Sequence, residues 1–285
     1  MTKRKSDFTL PITSLDELFS SQEERDDAKL ERVKEIPLIE LHPFKDHPFK
    51  IQNNEEMKRL IESIQKFGTL TPALARPLPE GGYELISGHR RLAACQVLDI
   101  ETMPVIIREM SDDEAVIAMV DANLQREHIL PSEKAFAYKM KLDAIKHQGV
   151  ASAQVGQKLL SVEKVAEDAG ESRNQVKRYI RLTYLIPELL SLVDDGKIAF
   201  NPAVEISYLD KAEQRVLLDA MEQNDCTPSH AQSIRLKKLS QEGVLQDRTI
   251  YDILAEQKPN QQEQYKFKRE EIRKYFPKSY TDKQV

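Results

Sequence analysis

The spacing of apolar residues changes partway along the chain. From residue 34 to about residue 110, short apolar runs alternate with stripes of helical period. The clearest stripe consists of Met57, Leu60, Ile61, Ile64 and Phe67. This stripe predicts a helix from 54 to 67. Gly68 is suited to end that helix, because glycine readily takes the left-handed conformation of a helix C-cap.

Four strands and a second helix complete the first part of the chain. The strands are predicted at 34–41, 73–76, 83–86 and 103–107, and the helix begins near Gly88. After residue 111 the strand pattern ends, and helices are predicted at 112–125, 131–147, 162–169, 173–184, 187–194, 201–208, 211–222 and 228–239. The predicted fold is an α+β amino-terminal domain at 34–110 followed by an all-α domain at 111–239.

Polar segments flank these two predicted domains. Residues 1–33 predict a flexible tail, although their apolar cluster Leu15, Leu18 and Phe19 could instead form one helical turn that docks on a partner. Residues 240–285 are also polar and carry a basic tract at 266–274.

A helix-turn-helix is predicted at 161–182. Ser161 can cap a first short helix, and Gly170 allows the tight turn that two crossing helices need. Ser172 can cap the second helix, and Gln175 stands three residues later, as in a capping box. The inward positions are Val162, Val165, Ala166 and Ala169 on the first helix, and Val176 and Ile180 on the second, with Tyr179 as a further candidate.

The second helix of this pair carries a local positive charge. The whole chain has a net charge of −5, yet no acidic residue occurs between Ser172 and Leu182. Side chains of this type can bind base edges in the major groove or phosphates beside it. The predicted DNA-binding residues are Ser161, Ser172, Arg173, Asn174, Gln175, Lys177, Arg178 and Arg181. An ordinary helix pair with a solvated basic face is the alternative.

Composition argues against several kinds of site. The two cysteines, Cys95 and Cys226, have no paired spacing, and the six histidines form no His-Glu-x-x-His pattern. A disulfide framework and a metal held only by protein side chains are therefore not expected. No apolar run approaches the ~18–20 residues of a membrane span, and none follows the basic start as in a secretory signal. We expect a cytoplasmic, nucleoid-associated protein without a membrane partner.

Residues near 88 and 123 form a second candidate site. Gly88 follows a predicted strand and opens a helix, where backbone N–H groups can meet a phosphate closely. Arg90 and Arg91 add charge-assisted donors, and Asn123 and Arg126 could complete a triphosphate or magnesium site. A pair of surface arginines at a helix start is the alternative.

Four stretches, in order, resemble the ParB partition family. They are Gly68–Pro77, the box Ile86–Ala94 with its Gly-His-Arg-Arg, the segment Asn123-Leu-Gln-Arg-Glu127, and Leu130–Ala135, with the helix-turn-helix behind them. The resemblance implies an amino-terminal domain of the ParB and sulfiredoxin type that binds CTP with Mg²⁺. It also implies a specific palindromic double-stranded DNA site, a sliding clamp, a ParA-type ATPase partner and a dimer on DNA. In this resemblance Thr71, Gly88, His89, Arg90, Arg91, Asn123 and Arg126 are the nucleotide-binding residues, and Asn123 meets Mg²⁺ through the nucleotide.

The chain departs from the family's pattern at three site positions. Thr71 stands in place of a common Gln, and His89 in place of a Glu. Ala122 replaces the Glu that the family uses for nucleotide hydrolysis. The neighbouring carboxylate, Asp121, points about 100° away on a helix with ~3.6 residues per turn. Either CTP is hydrolysed very slowly, or Asp121 takes over the catalytic role.

The carboxy-terminal segment also departs from the family. The family dimerises through a carboxy-terminal domain, whereas residues 240–285 show no zipper-like heptads. The sequence is therefore expected to be truncated or to use another dimer contact, and to be weakly associated or monomeric without ligand.

Two other function classes remain open at this point. The first is a helix-turn-helix transcriptional regulator with an inactive nucleotide pocket, which a CTP-binding measurement separates from a partition protein. The second is an enzyme on the sulfiredoxin-like fold. The run Ser87-Gly88-His89-Arg90 lacks the catalytic thiol of sulfiredoxins, and Cys95 is expected in the core, so phosphate transfer to free serine would be the activity to test.

Overall fold

The computed structural model describes residues 32–126, 128–150 and 157–256. These described residues form two compact units, the first from those up to Ile129 and within Ala137–Glu171, and the second from Leu130–Phe136 and those from Ser172 to Glu256. Of the tail predicted at 1–33, residues 1–31 lie outside the described residues, as do Glu127 and the basic tract at 266–274, whereas Val33 belongs to the first strand. The predicted domain boundary at 110/111 follows the change in secondary structure, whereas the compact units divide a later helix.

A five-stranded sheet forms the framework of the first unit. Its strands are β1 (Val33–Pro37), β2 (Leu41–Pro43), β3 (Ala73–Pro77), β4 (Tyr83–Ser87) and β5 (Thr102–Ile107). They lie in the order β1-β5-β3-β4-β2. The pairs β1/β5 and β3/β4 are antiparallel, and β3/β5 and β2/β4 are parallel.

The single strand predicted at 34–41 is wrong. The segment is split by a 3₁₀ turn at Leu38–Glu40, and its two halves pair with different strands. Pro37 ends the first half, since proline has no N–H to donate to a ladder. The apolar residues Ile36, Leu38, Ile39 and Leu41 continue across this break and do not mark it.

Within the described residues, five helices belong wholly or mostly to the first unit: α1 (Glu55–Phe67), α2 (His89–Val97), α3 (Asp112–Leu124), α4 (Pro131–Val150) and α5 (Gln157–Asp168). The predicted bounds of α1 are confirmed by its caps. The Asn54 side chain accepts a bond from the Met57 N–H at 3.0 Å, and Gly68 has φ +71°. Cys95 is fully buried in the core between sheet and helices, as predicted.

The second unit is helical. Besides the first turns of α4, it contains α6 (Arg173–Leu182), α7 (Pro187–Asp194), α8 (Phe200–Ile206), α9 (Lys211–Gln223), α10 (His230–Gln241) and α11 (Asp247–Ala255). The last helix was missed in the polar segment predicted from residue 240. Its apolar residues Ile250, Ile253 and Leu254 follow the i, i+3, i+4 spacing of one helix face and are buried.

The predicted fold class, a mixed first part followed by helices only, is confirmed. Within the described part of the chain, no helix has the length and apolar character needed to cross a membrane.

Candidate functional site

An open cavity of about 540 Å³ lies within the first unit. It is lined by Glu56, Arg59, Leu60, Thr71, Ser87, Gly88, His89, Arg90, Arg91, Ala122, Asn123 and Arg126. All seven residues predicted for nucleotide binding are among them. The α1 residues Glu56, Arg59 and Leu60 were missed, because only the packing of α1 beside α2 brings them to the cavity and no local motif marks them.

The backbone conformation at the N-cap of α2 requires a glycine, Gly88. Its φ is +112°, a conformation that side chains disfavour. A Cβ here would lie 2.8 Å from the Ala73 Cβ. Gly88 and the first residues of α2 line the cavity, so the unpaired backbone N–H groups of this helix start lie where they favour an anion.

The two arginines after this glycine have different surroundings. Arg91 donates through Nη1 to the backbone oxygen of Thr71 and, at 2.8 Å, to that of Pro72. Burial lowers the pKa of Arg91 from its ordinary value. Arg90 lies nearer the surface, and its Nη1 is 3.2 Å from the Glu56 Oε2. Arg91 thus holds the segment before β3, while Arg90 carries the more exposed charge.

His89 is a neutral hydrogen-bond acceptor. Only 7% of its surface is exposed, and its Nε2 accepts a bond from the Phe44 N–H at 3.2 Å. Its ring centroid lies 3.9 Å from that of His47. Burial, then the nearby His47 and Arg126, lower the pKa of His89 to about 3. His89 therefore anchors residue 44 to the pocket wall, a contact that sequence reasoning did not foresee.

This shifted pKa makes stability depend on pH. The unfolded chain protonates His89 below about pH 6.5, whereas the folded chain keeps it neutral down to about pH 3. Stability from this group is therefore complete above pH 6.5 and lost on acidification. Between pH 7 and pH 5 we expect a loss of about 2 kcal/mol in the free energy of unfolding, at about 1.4 kcal/mol per pH unit.

Urea unfolding at the two pH values, in wild type and His89→Gln, measures this loss. The glutamine keeps an acceptor but cannot titrate, so it should flatten the dependence. His128→Gln, at an exposed position of the same unit, is the matched control. The same pH dependence in wild type and His89→Gln would contradict the assignment.

Asn123 and Arg126 lie at the carboxy-terminal end of α3. Asn123 is 3% exposed, and its Nδ2 donates to the Met119 backbone oxygen at 2.7 Å, which leaves the carboxamide oxygen as the group suited to a cation. The Arg126 guanidinium lies 5.4 Å above the centre of the Phe49 ring. The described residues contain no cluster of three or more His, Cys, Asp or Glu side chains placed to hold a metal. A magnesium ion here would therefore need ligands from a bound phosphate as well as from Asn123.

Ala122 lines the cavity, and the adjacent Asp121 does not. Asp121 Oδ1 lies 2.5 Å from the Lys141 Nζ. The segment is helical up to Leu124, so neighbouring side chains point about 100° apart. In this structure the carboxylate considered for catalysis is paired with a lysine.

The helix-turn-helix segment differs from the prediction at its start. The helix α5 begins at Gln157, so Ser161 lies inside it, 7% exposed, and does not cap it. Little of Ser161 is left for contact with DNA. After α5, Gly170 has φ +64°, and the Glu171 N–H donates to the Ala166 oxygen at 2.9 Å. The tight turn is formed as predicted.

The second helix begins as predicted. The Ser172 Oγ accepts a bond from the Gln175 N–H at 3.2 Å. The reciprocal bond of a capping box, from the Ser172 backbone N–H to the Gln175 side-chain oxygen, is not formed among the described contacts. Val176 is fully buried, and Arg173, Asn174 and Lys177 are exposed near the amino-terminal end of α6.

Arg178 and Arg181 do not join that exposed group. Arg178 Nη2 donates to the Asn201 Oδ1 at 2.5 Å, and its guanidinium lies 5.0 Å from the Phe200 ring centre. Arg181 Nη2 donates to the Ser207 oxygen at 2.7 Å. Its guanidinium also lies 4.4 Å and 4.0 Å from the rings of Tyr184 and Tyr208. Both arginines are partly buried and bind groups of their own unit, including the aromatic rings of Phe200, Tyr184 and Tyr208, so their role in DNA binding stays a prediction.

Comparison with known proteins identifies both parts of the chain. The family description "ParB N-terminal domain" matches residues 22–124, and "ParB HTH domain" matches residues 128–241. The chromosome-partitioning protein Spo0J of Thermus thermophilus is 31% identical over 182 residues, which cover 64% of this chain and 62% of that protein. A nucleoid occlusion protein of Listeria monocytogenes is 29% identical over 190 residues, covering 66% of this chain and 61% of that protein.

A solved structure is also similar to the chain. It is the C-terminally truncated chromosome-partitioning protein ParB from Caulobacter crescentus, complexed to the centromeric parS site, with 24% identity and a TM-score of 0.42. The match covers 78% of this chain and 98% of that one. For the two curated relatives named above, by contrast, the chain spans about three fifths of their length. Since the two family descriptions follow one another along most of its residues, the chain belongs to the ParB family.

Proposed function

We propose that this chain is a sequence-specific DNA-binding partition protein whose DNA-bound state is controlled by CTP and Mg²⁺. One observation carries the proposal. The cavity of the first unit gathers the glycine at the start of α2, the adjacent arginines and the polar end of α3, which are distant in sequence. Such a set of donors suits the phosphates of a nucleotide.

The choice of nucleotide comes from the family. The lining supports a polyphosphate, bound by the α2 backbone and Arg90, with Asn123 and Arg126 also in the cavity wall. Membership of the ParB family indicates that the nucleotide carrying this polyphosphate is CTP. Binding would be measured by calorimetry with and without Mg²⁺. Absence of CTP binding would favour a transcriptional regulator with an inactive pocket.

The proposed DNA-reading element is α6. Arg173 and Asn174 are suited to base edges and Lys177 to a phosphate, because they are exposed at the end of the helix that the Ser172 cap defines. A dimer on a palindromic site and a ParA-type ATPase partner complete the proposal, which places the protein at the nucleoid during segregation of a chromosome, plasmid or mobile element. Similarity to nucleoid occlusion proteins favours nucleoid occlusion as a second candidate role, carried out by the same DNA-binding activity.

The full chain tests this proposal directly. Tagged protein would be incubated with fragmented genomic DNA, and the recovered fragments sequenced. We expect enrichment of one short palindromic sequence, and its position relative to the replication origin or a mobile element would distinguish the roles. Recovery of fragments without a common sequence would contradict specific binding.

Nucleotide hydrolysis should be slow in the wild-type protein. Ala122 cannot accept a proton or orient a water, and Asp121 is paired with Lys141 beside the cavity. At saturating CTP and in the presence of the selected DNA, we expect turnover to rise in Ala122→Glu and to change little in Asp121→Ala. Rapid wild-type turnover that disappears in Asp121→Ala would make Asp121 the catalytic carboxylate. Rapid turnover that survives this substitution would exclude both assignments.

A further inference from the structure

One fully buried ammonium group joins three helices of the first unit. The side chain of Lys141, on α4, has no exposed surface. Its Nζ lies 2.5 Å from the Asp121 Oδ1 on α3 and 2.7 Å from the Asp168 Oδ2 on α5. The two carboxylates are partly exposed, at 48% and 37% of their side-chain surface. The ammonium group of Lys141 is thus buried within the unit, whereas the two carboxylates that pair with it are partly exposed to solvent.

A buried charge of this kind constrains its partners. Removing an ammonium group from water is unfavourable unless opposite charges and hydrogen bonds replace the lost hydration. By contrast, Lys146 on the same helix pairs with Asp143 three residues away, and both side chains are more than one third exposed. That local pair can open into solvent. The Lys141 pairs cannot separate without leaving a buried cation short of a partner, so they resist relative movement of α3 and α5.

The two ends of this link lie at functionally different places. Asp121 directly precedes Ala122 and Asn123, which line the candidate nucleotide cavity. Asp168 is the last residue of α5, and the Gly170 turn that leads into α6 follows it. A nucleotide that contacts the end of α3 therefore acts on a helix that the Lys141 ammonium links to α5. The helix α5 is the first helix of the helix-turn-helix.

We propose that Lys141 is a positioning residue that couples the nucleotide cavity to the helix-turn-helix through Asp121 and Asp168. The inference rests on the proposed function. Nucleotide contact at the end of α3 changes the position of Asp121, and the shared ammonium transmits that change to the end of α5. By linkage, DNA bound through the helix-turn-helix alters CTP affinity by the same factor as CTP alters DNA affinity.

The substitution Asp168→Asn tests the link at its DNA-side end. It removes one charge of the triad while Lys141 keeps its pair with Asp121, so the fold should persist. The neighbouring exposed Glu167 offers a matched control, Glu167→Gln, which removes a carboxylate from the same turn of α5. The measured quantity is the coupling factor, the ratio of the Kd for a duplex carrying the recovered palindrome with and without CTP-γ-S and Mg²⁺.

We expect Asp168→Asn to reduce the coupling factor at least about fivefold, the lower end of usual allosteric couplings, and Glu167→Gln to leave it within about twofold. Thermal unfolding of both variants checks that stability is matched. A Lys141→Met variant, if folded, should show the same reduction of the coupling factor. If Asp168→Asn acted only locally at residue 168, Lys141→Met would not reduce the coupling factor.

The possible failures are distinguishable. If the wild-type chain binds neither CTP-γ-S nor any specific duplex, the proposed function fails. If it binds both and the coupling factor is one, or if Asp168→Asn keeps the wild-type factor, the function stands and the role of Lys141 is overturned.

Discussion

Replacing Arg173, Asn174 and Lys177 together by alanine should reduce binding of the selected DNA site to the level of non-specific DNA. Arg173→Ala alone should cost about 1–3 kcal/mol if its guanidinium contacts a guanine with two hydrogen bonds. Specific sites are usually bound at least about 10³-fold more tightly than other DNA, so the triple variant should lose affinity of that order. The reason is that these side chains are exposed on α6, while Arg178 and Arg181 are held by other groups.

Fluorescence anisotropy with a labelled duplex at physiological salt measures this effect. Arg173→Ala should relax discrimination at one base position, whereas Lys177→Ala should weaken all sequences alike and lower the salt slope by about 1. Arg215→Ala, which removes an exposed positive charge from α9 in the same unit, is the matched control. Unchanged affinity of the triple variant would show that α6 does not read the site.

Loss of either arginine at the start of α2 should weaken CTP binding by about one to two orders of magnitude. A hydrogen bond to a charged group contributes about 1.5–3 kcal/mol, and each guanidinium can offer such a bond to a phosphate oxygen. Arg90→Ala should affect little else, because its contact with Glu56 is near the surface. Initial binding to the DNA site should stay close to normal in this variant.

Arg91→Ala should differ by also lowering stability. Its guanidinium donates to the backbone oxygens of Thr71 and Pro72, which lose a partner when it is removed. Calorimetry gives the CTP affinity, and urea unfolding separates the two variants. Lys66→Ala, at an exposed position of α1, controls for loss of one charge. Normal CTP affinity in both arginine variants would rule out the phosphate site.

Local patterns in the sequence predicted the parts of the fold that depend on neighbouring residues. The bounds of α1 followed from its apolar stripe and from the Gly68 stop, and Ser172 caps α6 as expected. The seven residues predicted for nucleotide binding line one cavity, and they were predicted from a glycine and charged side chains in short motifs. Such signals act within about four residues, which is the reach of a helical turn or a cap.

The tertiary structure alone decided which charged side chains are paired or stacked with other groups of the protein. Arg181 lies against Tyr208 because α6 packs beside the segment that follows α8, and no spacing within α6 could show this. Likewise, nothing near Lys141 indicates that it is fully buried between Asp121 and Asp168, 20 residues before it and 27 after it. The sequence by itself therefore determined most of the helices and strands and the residue types from which both sites are proposed. Packing between elements determined the pairing of the charges, because the partner of a buried or stacked cation is set by distance in space and by desolvation, not by separation along the chain.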